Sequence, residues 1–312
     1  MNIERVIEGI RHPDQSVQYL RWMLWKQLRH KLYDTDGMHI LDADWDTLII
    51  LDAARYDYFE EACEISGELS KVRSLAPKTS MFLTSNFEEK RAHDTVYLSA
   101  NAQVGKYRDA IDVHKVVGQW KSDGSKGGGQ ISERSITQPE PVVDKAIELH
   151  DEYPHKRHIV HLLPPHVPHL IKDGKTLPPD SPYRTYEAVR QGEVDGETMR
   201  AVYRENLSYV FDAIDPLLQH ADGKVVVTSD HGELLGEGLP WWVKLIHPRW
   251  GITEGEKFDW GHYEYVNAPE LRDVPWLELP FNSRRKTTSD PPVADDIDET
   301  SIEEQLESLG YI

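Results

Sequence analysis

Short runs of apolar residues alternate along this chain with longer stretches in which apolar and polar residues recur at helical spacing. The segments 47–51, 157–163 and 224–229 each contain consecutive apolar residues, some of them β-branched, which is typical of strands buried inside a parallel sheet. Helices are expected near 56–66, 139–152 and 195–219, and further strands near 71–75, 95–99, 110–113 and 274–279. This alternation predicts an α/β fold with a doubly wound, mostly parallel sheet and helices on both faces.

The chain of 312 residues is long enough for one large α/β domain with shorter flanking segments. We predict a helical N-terminal extension at 1–36, broken near Pro13, followed by the α/β domain at 37–282. The segment 283–312 is predicted to be an exposed acidic linker that ends in a short helix. The Gly- and Ser-rich stretch 122–135 is expected to be a linker or a lid, because it lacks the Lys-Ser/Thr pair of a phosphate-binding loop.

The excess of acidic over basic residues limits the kinds of molecule that the protein is expected to bind. Asp and Glu number 54 against 35 Lys and Arg, and the resulting formal charge of -19 opposes binding to nucleic acid. Because the acidic residues are spread along the chain, we expect a solvated acidic shell of the kind found in a salty cytoplasm. Cys63 is the single cysteine, which excludes an intrachain disulfide and favours a reducing cytosol. No signal peptide or long apolar run is apparent, so we expect a soluble, cytoplasmic protein.

Residues 17–32 form a basic amphipathic segment that contains Trp22 and Trp25. Two interpretations are open. The segment packs as a helix against the domain, or it lies on a membrane surface as a peripheral contact.

Polar residues follow two of the predicted inner strands. Asp52 comes directly after the run 47–51, and Asp230 and His231 follow 224–229. Ligands collect at the carboxyl ends of parallel strands, and carboxylate oxygen with imidazole nitrogen suits a divalent metal ion such as zinc or manganese. The alternative for each aspartate is a helix cap. For the pair taken together we favour a metal site.

The segment Pro77-Lys78-Thr79-Ser80 follows a predicted strand and precedes a predicted helix. A hydroxyl at this position lies at the positive end of the helix dipole, which favours its alkoxide form and makes Thr79 a candidate nucleophile. The alternative is that Thr79 or Ser80 merely caps the helix. Ser80 is the second candidate for the nucleophile.

Histidines also fall near the same edge of the predicted sheet. His161 and His166 lie at and after the end of the strand at 157–163, and His262 lies in Trp260-Gly261-His262. We take His166 and His262 as catalytic candidates and His161 as a substrate-binding candidate, each with a purely structural role as the alternative. Arg55 and Lys78 are further substrate-binding candidates that can neutralise phosphate charge or form surface salt bridges.

Five segments resemble, in order, the sulfatase-like branch of the alkaline phosphatase superfamily, which includes arylsulfatases, lipoteichoic acid synthases and phosphoethanolamine transferases. They are LIILDAARYD, KTS, HLLPPHVPH, TSDHGELLGE and GHYEYVNAPELRDVPWLEL, and the terminal LESLGYI is also similar. The resemblance covers roughly 46–280 and the tail, and its most specific element is Asp-His-Gly-Glu. It implies Asp52, Thr79, Asp230 and His231 as metal ligands and Thr79 as nucleophile. It also implies that His166 and His262 bind the transferred group or a second metal.

Two departures from this family narrow the chemistry. Formylglycine sulfatases use a cysteine in Cys-x-Pro-x-Arg, whereas Cys63 lies in Cys-Glu-Ile-Ser-Gly, so a formylglycine enzyme is not expected. Asp52-Ala53 stands where many sulfatases have two aspartates, which favours a single tightly held metal.

The resulting hypothesis is a metal-dependent phosphoric ester hydrolase or phosphotransferase that acts through Thr79. The metal is a divalent ion, either zinc, manganese, magnesium or calcium, and the substrate is a small-molecule, glycan or lipid-linked ester. The alternatives are a sulfate ester hydrolase without formylglycine and a catalytically silent metal-containing binding module.

Overall fold

The computed structural model describes residues 13–120, 138–178, 180–239, 243, 259–298, 302–303 and 305–306, with the backbone alone before residue 20. The strands are Thr47–Leu51 (β1), Glu68–Arg73 (β2), Arg91–Ser99 (β3), Asp112–Gly118 (β4), Arg157–Leu162 (β5), Ile171–Lys172 (β6), Lys175–Thr176 (β7), Val225–Thr228 (β8), Leu234–Leu235 (β9), Trp260–Gly261 (β10) and Asp273–Glu278 (β11). The α-helices are Pro13–Leu32 (α1), Tyr56–Ala62 (α2), Thr79–Phe87 (α3), Gln103–Lys106 (α4), Pro139–Glu152 (α5), Glu187–Gln191 (α6), Gly196–His220 (α7) and Pro269–Arg272 (α8). Short 3-10 turns lie at Ile40–Asp42, Arg108–Ala110 and Pro182–Arg184.

Seven strands form the central sheet in the order β2-β11-β8-β1-β5-β3-β4. The five strands from β8 to β4 run parallel to one another, whereas β11 runs antiparallel to both β2 and β8. The predicted fold class, a mostly parallel α/β sheet, is confirmed.

Strand β1 shows why this sheet needs a layer on each face. All five of its residues are buried, and successive side chains point to opposite faces. Ile49 and Leu51 join the cluster formed with residues of α5 and α7, while Leu48 and Ile50 join the cluster formed with residues of α3. An unbroken apolar run is therefore what a strand with two covered faces requires.

The longer helices begin where local chemistry favours a start. Helix α5 has Pro139 in its first turn, where the missing amide proton costs no hydrogen bond. Helix α7 follows Asp195, whose carboxylate accepts from the Thr198 amide at 2.8 Å. Both helices agree closely with the predicted ranges 139–152 and 195–219.

Helix α1 packs one side onto the domain. Trp25 is buried in a cluster with Leu234, Tyr263 and Val266, and just beyond the helix Tyr33 donates its hydroxyl to the Leu75 carbonyl at 2.6 Å. The side of α1 that carries Trp25 therefore packs against the domain, which is one of the two interpretations given for 17–32. Among the helices that the structure describes, none is both long and apolar enough to cross a membrane.

The segment 283–298 differs from the exposed linker that the acidic sequence predicts. Its side chains are largely exposed, but Arg284 pairs with Asp46. Farther along, the Val293 and Asp296 amides donate to carbonyls of β4 at 2.9 Å. These hydrogen bonds hold the segment against the edge strand β4, because they satisfy backbone groups of β4 that would otherwise face water. The predicted loop at 122–135 and most of the last helix lie outside the described residues.

Candidate metal centre

The carboxyl ends of β1 and β8 bring the first two candidate ligands together. The strands are neighbours, with Ile49 beside Val227 and Ile50 beside Thr228, so Asp52 and Asp230 leave the sheet at the same edge. Both side chains are fully buried. Asp230 Oδ1 accepts from the Ala53 and His231 amides at 3.2 and 2.9 Å, which fixes the carboxylate and leaves Oδ2 to face the site.

His161 completes a compact cluster with these two aspartates. Its Nε2 lies 3.6 Å from Asp52 Oδ2 and 3.9 Å from Asp230 Oδ2, and one donor atom from each residue lies within 4.8 Å of the others. In the described structure, His161 Nε2, Asp52 Oδ1 and Asp230 Oδ2 are buried without a hydrogen-bond partner. We assigned His161 to substrate binding from sequence, whereas this placement makes it a candidate metal ligand.

His231 and Thr79 border the same cluster. His231 Nε2 lies 3.4 Å from Asp230 Oδ2, 3.6 Å from Asp52 Oδ1 and 3.2 Å from Thr79 Oγ1. The other ring nitrogen, Nδ1, faces the Gly232 carbonyl at 2.7 Å. A carbonyl only accepts, so Nδ1 donates its proton to it, and Nε2 is the ring nitrogen that faces Thr79 and the two carboxylates.

Thr79 is the first residue of α3 and is fully buried. The residue at the N-cap position is Lys78, and its side chain makes no capping hydrogen bond. The Thr79 hydroxyl is therefore turned towards His231, and the helix-cap role is not the one that the geometry gives it.

The buried charges of this cluster fit a divalent cation. Within the described residues, the basic groups within 4.0 Å of Asp52 and Asp230 are the imidazoles of His161 and His231. Burial and the neighbouring Asp52 charge raise the pKa of Asp230. At Asp52 the effect of burial is outweighed by His166, His161 and His231, which lower the pKa. Two carboxylates with imidazole nitrogens and no Lys or Arg match the donor set of zinc or manganese.

A second cluster lies beside the first and consists of His166, Glu233 and His262. The His262 ring centroid lies 4.4 Å from that of His231 and 5.2 Å from that of His166. His262 Nδ1 contacts Glu233 Oε1 at 3.0 Å, and His166 Nδ1 faces the Val167 carbonyl. In both rings Nδ1 is engaged by the protein, as it is in metal-binding or phosphate-binding histidines that use Nε2 as the ligand atom.

Glu233 is fully buried, and burial raises its pKa to about 7. Burial also lowers the pKa of His262, with further contributions from His231, His166 and Lys78. The net charge of Glu233 and His262 therefore depends on whether a proton or a cation binds between them.

Arg55 and Lys78, the two cationic candidates, have different surroundings in the structure. Arg55 is buried and donates to both carboxylate oxygens of Asp57, at 2.9 and 2.6 Å, and to Glu237 at 2.5 Å. Arg55 therefore forms salt bridges, which was the alternative to phosphate binding, and its own side chain is buried. Lys78 lies 3.6 Å from Glu264 and close enough to His262 to lower its pKa, so its charge acts at the second cluster.

Three contributors to the site have no clear signal in the sequence. Asn101 donates to Asp52 Oδ2 from the end of β3, and Tyr97 places its hydroxyl 3.0 Å from His161 Nδ1. Ala53 adopts a φ of 59°, a region that non-glycine residues rarely enter. This turn aims the Ala53 amide at Asp230, and the Tyr203 hydroxyl supports it by donating to the Ala53 carbonyl at 2.8 Å.

Neither a search of protein-family models nor a search of curated proteins found a match. The chain is similar in structure to the soluble domain of lipooligosaccharide phosphoethanolamine transferase A from Neisseria meningitidis, with 14% identity over 79% of this chain and 80% of that chain, and a TM-score of 0.45. A phosphonate monoester hydrolase from Silicibacter pomeroyi has 12% identity over 84% and 72% of the chains, and a TM-score of 0.45. A protein of the alkaline phosphatase superfamily from Vibrio parahaemolyticus has 12% identity over 89% and 69%, and a TM-score of 0.40.

These three structures are similar to this chain at TM-scores of 0.40 to 0.45. At such low identity, the similarities carry no assignment of substrate or chemistry.

Proposed function

We propose that this protein is a metal-dependent phosphoric ester hydrolase or phosphotransferase with Thr79 as nucleophile. The observation that carries the proposal is the position of the Thr79 hydroxyl, which is fully buried and lies 3.2 Å from His231 beside two buried carboxylates. A cap or a core threonine does not need this arrangement. A nucleophile that must be positioned and deprotonated does.

The metal would be held by Asp52, Asp230 and His231, with His161 and Thr79 completing the set. When bound, it supplies Lewis-acid activation of the hydroxyl and stabilisation of developing negative charge. The N-terminus of α3 adds the positive end of a helix dipole at the same oxygen. Two independent features of the chain thus favour the alkoxide form of Thr79.

In the reaction, Thr79 Oγ1 attacks phosphorus and the ester oxygen leaves, which gives a phosphothreonine. Water or an acceptor hydroxyl then attacks this phosphorus and releases Thr79 again. In this proposal, His166, His262 and the Lys78 ammonium group hold the oxygens of the transferred group. Alternatively, the two histidines and Glu233 would hold a second metal ion, which would supply positive charge for the same oxygens.

The decisive experiment compares Thr79→Ala with Thr79→Ser and Ser80→Ala at equal metal content. Loss of the nucleophile should lower kcat by at least about 10³-fold in Thr79→Ala, while Thr79→Ser keeps part of the activity. The alanine variant removes one hydrogen bond and one buried methyl group, so unfolding should become easier by only about 1–2 kcal/mol. Full activity in Thr79→Ala would end the assignment to Thr79.

The substrates for this test are aryl phosphates, phosphodiesters and sulfate esters. Mass spectrometry of the quenched enzyme should find a phosphoryl group on the peptide that contains Thr79. His166→Ala and His262→Ala should reduce turnover while the metal between Asp52 and Asp230 is retained. Turnover of sulfate esters alone would replace phosphate chemistry with the sulfatase alternative, and metal binding with no turnover of any ester would favour a binding module.

A further inference from the structure

Helix α1 carries a concentration of exposed apolar side chains. Within the described parts of the chain, seven large apolar side chains are exposed, and five of them lie on this helix: Leu20, Trp22, Met23, Leu24 and Leu32. Leu20, Met23 and Leu24 have the spacing i, i+3 and i+4, so they share one face, and their exposed fractions are 58%, 37% and 39%. An apolar face of this kind is unusual on an otherwise acidic protein.

The opposite side of α1 fastens the helix to the wall of the candidate site. Trp25 is buried in the cluster with Tyr263 and Val266, and the Arg29 guanidinium lies 4.5 Å from the centroid of the Tyr265 ring. These partners directly follow His262 in sequence. The exposed face therefore belongs to an element that is fixed next to the segment carrying His262.

The charge of α1 is the reverse of that of the whole chain. From 15 to 33 the sequence contains Arg21, Lys26, Arg29 and Lys31 and no Asp or Glu, although the full chain has a formal charge of -19. Lys26 and Lys31 are exposed, and Lys26 lies 5.1 Å from the centroid of the Trp22 ring. Exposed leucine and methionine on a helix that also carries exposed tryptophan and lysine match the chemistry of an anionic bilayer surface.

We propose that α1 docks this protein onto an anionic lipid bilayer. Leu20, Met23 and Leu24 enter the headgroup region, and Lys26 and Lys31 contact the lipid phosphates. The acidic remainder of the protein faces away from the membrane, since like charges repel there. This inference does not depend on the reaction at Thr79, but it places the candidate site close to a surface that displays lipid-linked esters.

The test uses the full chain in sedimentation with vesicles of phosphatidylcholine alone or mixed with phosphatidylglycerol. Wild type should bind the mixed vesicles and should be released by molar KCl. The variant Leu20→Gln/Met23→Gln/Leu24→Gln should bind at least about 10-fold more weakly. Lys26→Gln/Lys31→Gln should bind up to roughly 25-fold more weakly, since each basic residue near an anionic surface contributes about a fivefold factor.

Phe281→Ser is the matched control, because Phe281 is 45% exposed but lies far from α1 in sequence. It should bind like wild type, and circular dichroism and the unfolding midpoint should show that every variant folds. Absence of wild-type binding to the anionic vesicles, or equal binding by wild type and the triple glutamine variant, would overturn the proposal. A dimer that the triple glutamine variant converts to a monomer, without vesicle binding by wild type, would assign the face to a second copy of the chain instead.

Discussion

Replacing Asp230 with Asn should have opposite effects on the protein with and without metal. The donor atoms of Asp52 and Asp230 lie within 4.8 Å of each other, and two like charges at this distance repel by about 3 kcal/mol at an effective dielectric constant of roughly 20. Asn keeps the oxygen that accepts from the Ala53 and His231 amides. Asp230→Asn should therefore leave the metal-free protein at least as stable as wild type, and up to about 3 kcal/mol more stable.

The same variant should lose the stabilisation that metal gives. A metal present at about 1,000 times its dissociation constant raises the free energy of unfolding by about 4 kcal/mol. We expect this increase in wild type and little of it in Asp230→Asn, because one anionic ligand is gone. Urea unfolding after chelator dialysis, with and without added Zn²⁺ or Mn²⁺, measures both effects.

Asp46→Asn is the control for a buried carboxylate without a metal role. Asp46 lies at the opposite edge of the sheet, where Oδ2 accepts from the Lys224 amide and from Arg284 Nε, both at 2.7 Å. This variant should lose about 2 kcal/mol with or without metal and keep the full metal response. The reasoning fails if Asp230→Asn destabilises the metal-free protein by more than about 1 kcal/mol and still responds to metal like wild type.

Three further predictions concern the surroundings of the site and the surface. Tyr97→Phe removes the contact with His161 Nδ1 and should weaken metal affinity by about 10-fold, measured by competition with a chelator; unchanged affinity would remove Tyr97 from a supporting role. Hydrogen bonds from Arg284 and from the Lys224 and Arg285 amides outweigh burial and lower the pKa of Asp46, so the stability they confer is present at neutral pH and is lost as pH falls below about 4. Arg284→Ala should lower the free energy of unfolding in urea by about 1 kcal/mol at pH 7, a modest loss because the Arg284 side chain is partly exposed and screened by water. The loss should shrink towards pH 3, and a difference between variant and wild type that does not change with pH would contradict the pairing with Asp46. Finally, the formal charge of -19 predicts that the melting temperature rises from low to molar KCl, and a flat or falling curve would dismiss the halophilic interpretation.

The parts of the fold that the sequence predicts well are those set by local patterns. Continuous apolar runs located β1, β5 and β8, and Pro139 marked the start of α5, because burial and capping act within a few residues. Strand β2 is less well predicted: it spans Glu68–Arg73 where 71–75 was expected. It is a largely exposed edge strand, so it lacks the apolar run that marks an inner strand.

The residues of the candidate site also fall into two groups, those that local sequence patterns predict and those that they do not. Asp52, Asp230 and His231 follow apolar runs, and the strand-end rule brings them together without knowledge of the structure. The Tyr97 contact with His161, 64 residues away, requires the register of β3 against β5. Asn101 reaches Asp52 across 49 residues. Such pairings depend on strand order, which periodicity in one sequence does not specify.

The segment 283–298 has a consequence for how the protein can be trimmed or fused to other domains. Its amides occupy the outer edge of β4, and Asp290 accepts from the buried Lys156 ammonium at 2.7 Å. Cutting the chain at 282, where the acidic sequence suggests a domain boundary, would expose a row of unpaired strand groups and remove the carboxylate that Lys156 bonds. Two shortened molecules could then join edge to edge in place of the missing segment. The segment 283–298 therefore covers a strand edge through which shortened molecules could pair, and a fusion partner is better attached beyond Leu306, which is buried against Trp120, than at the apparent boundary.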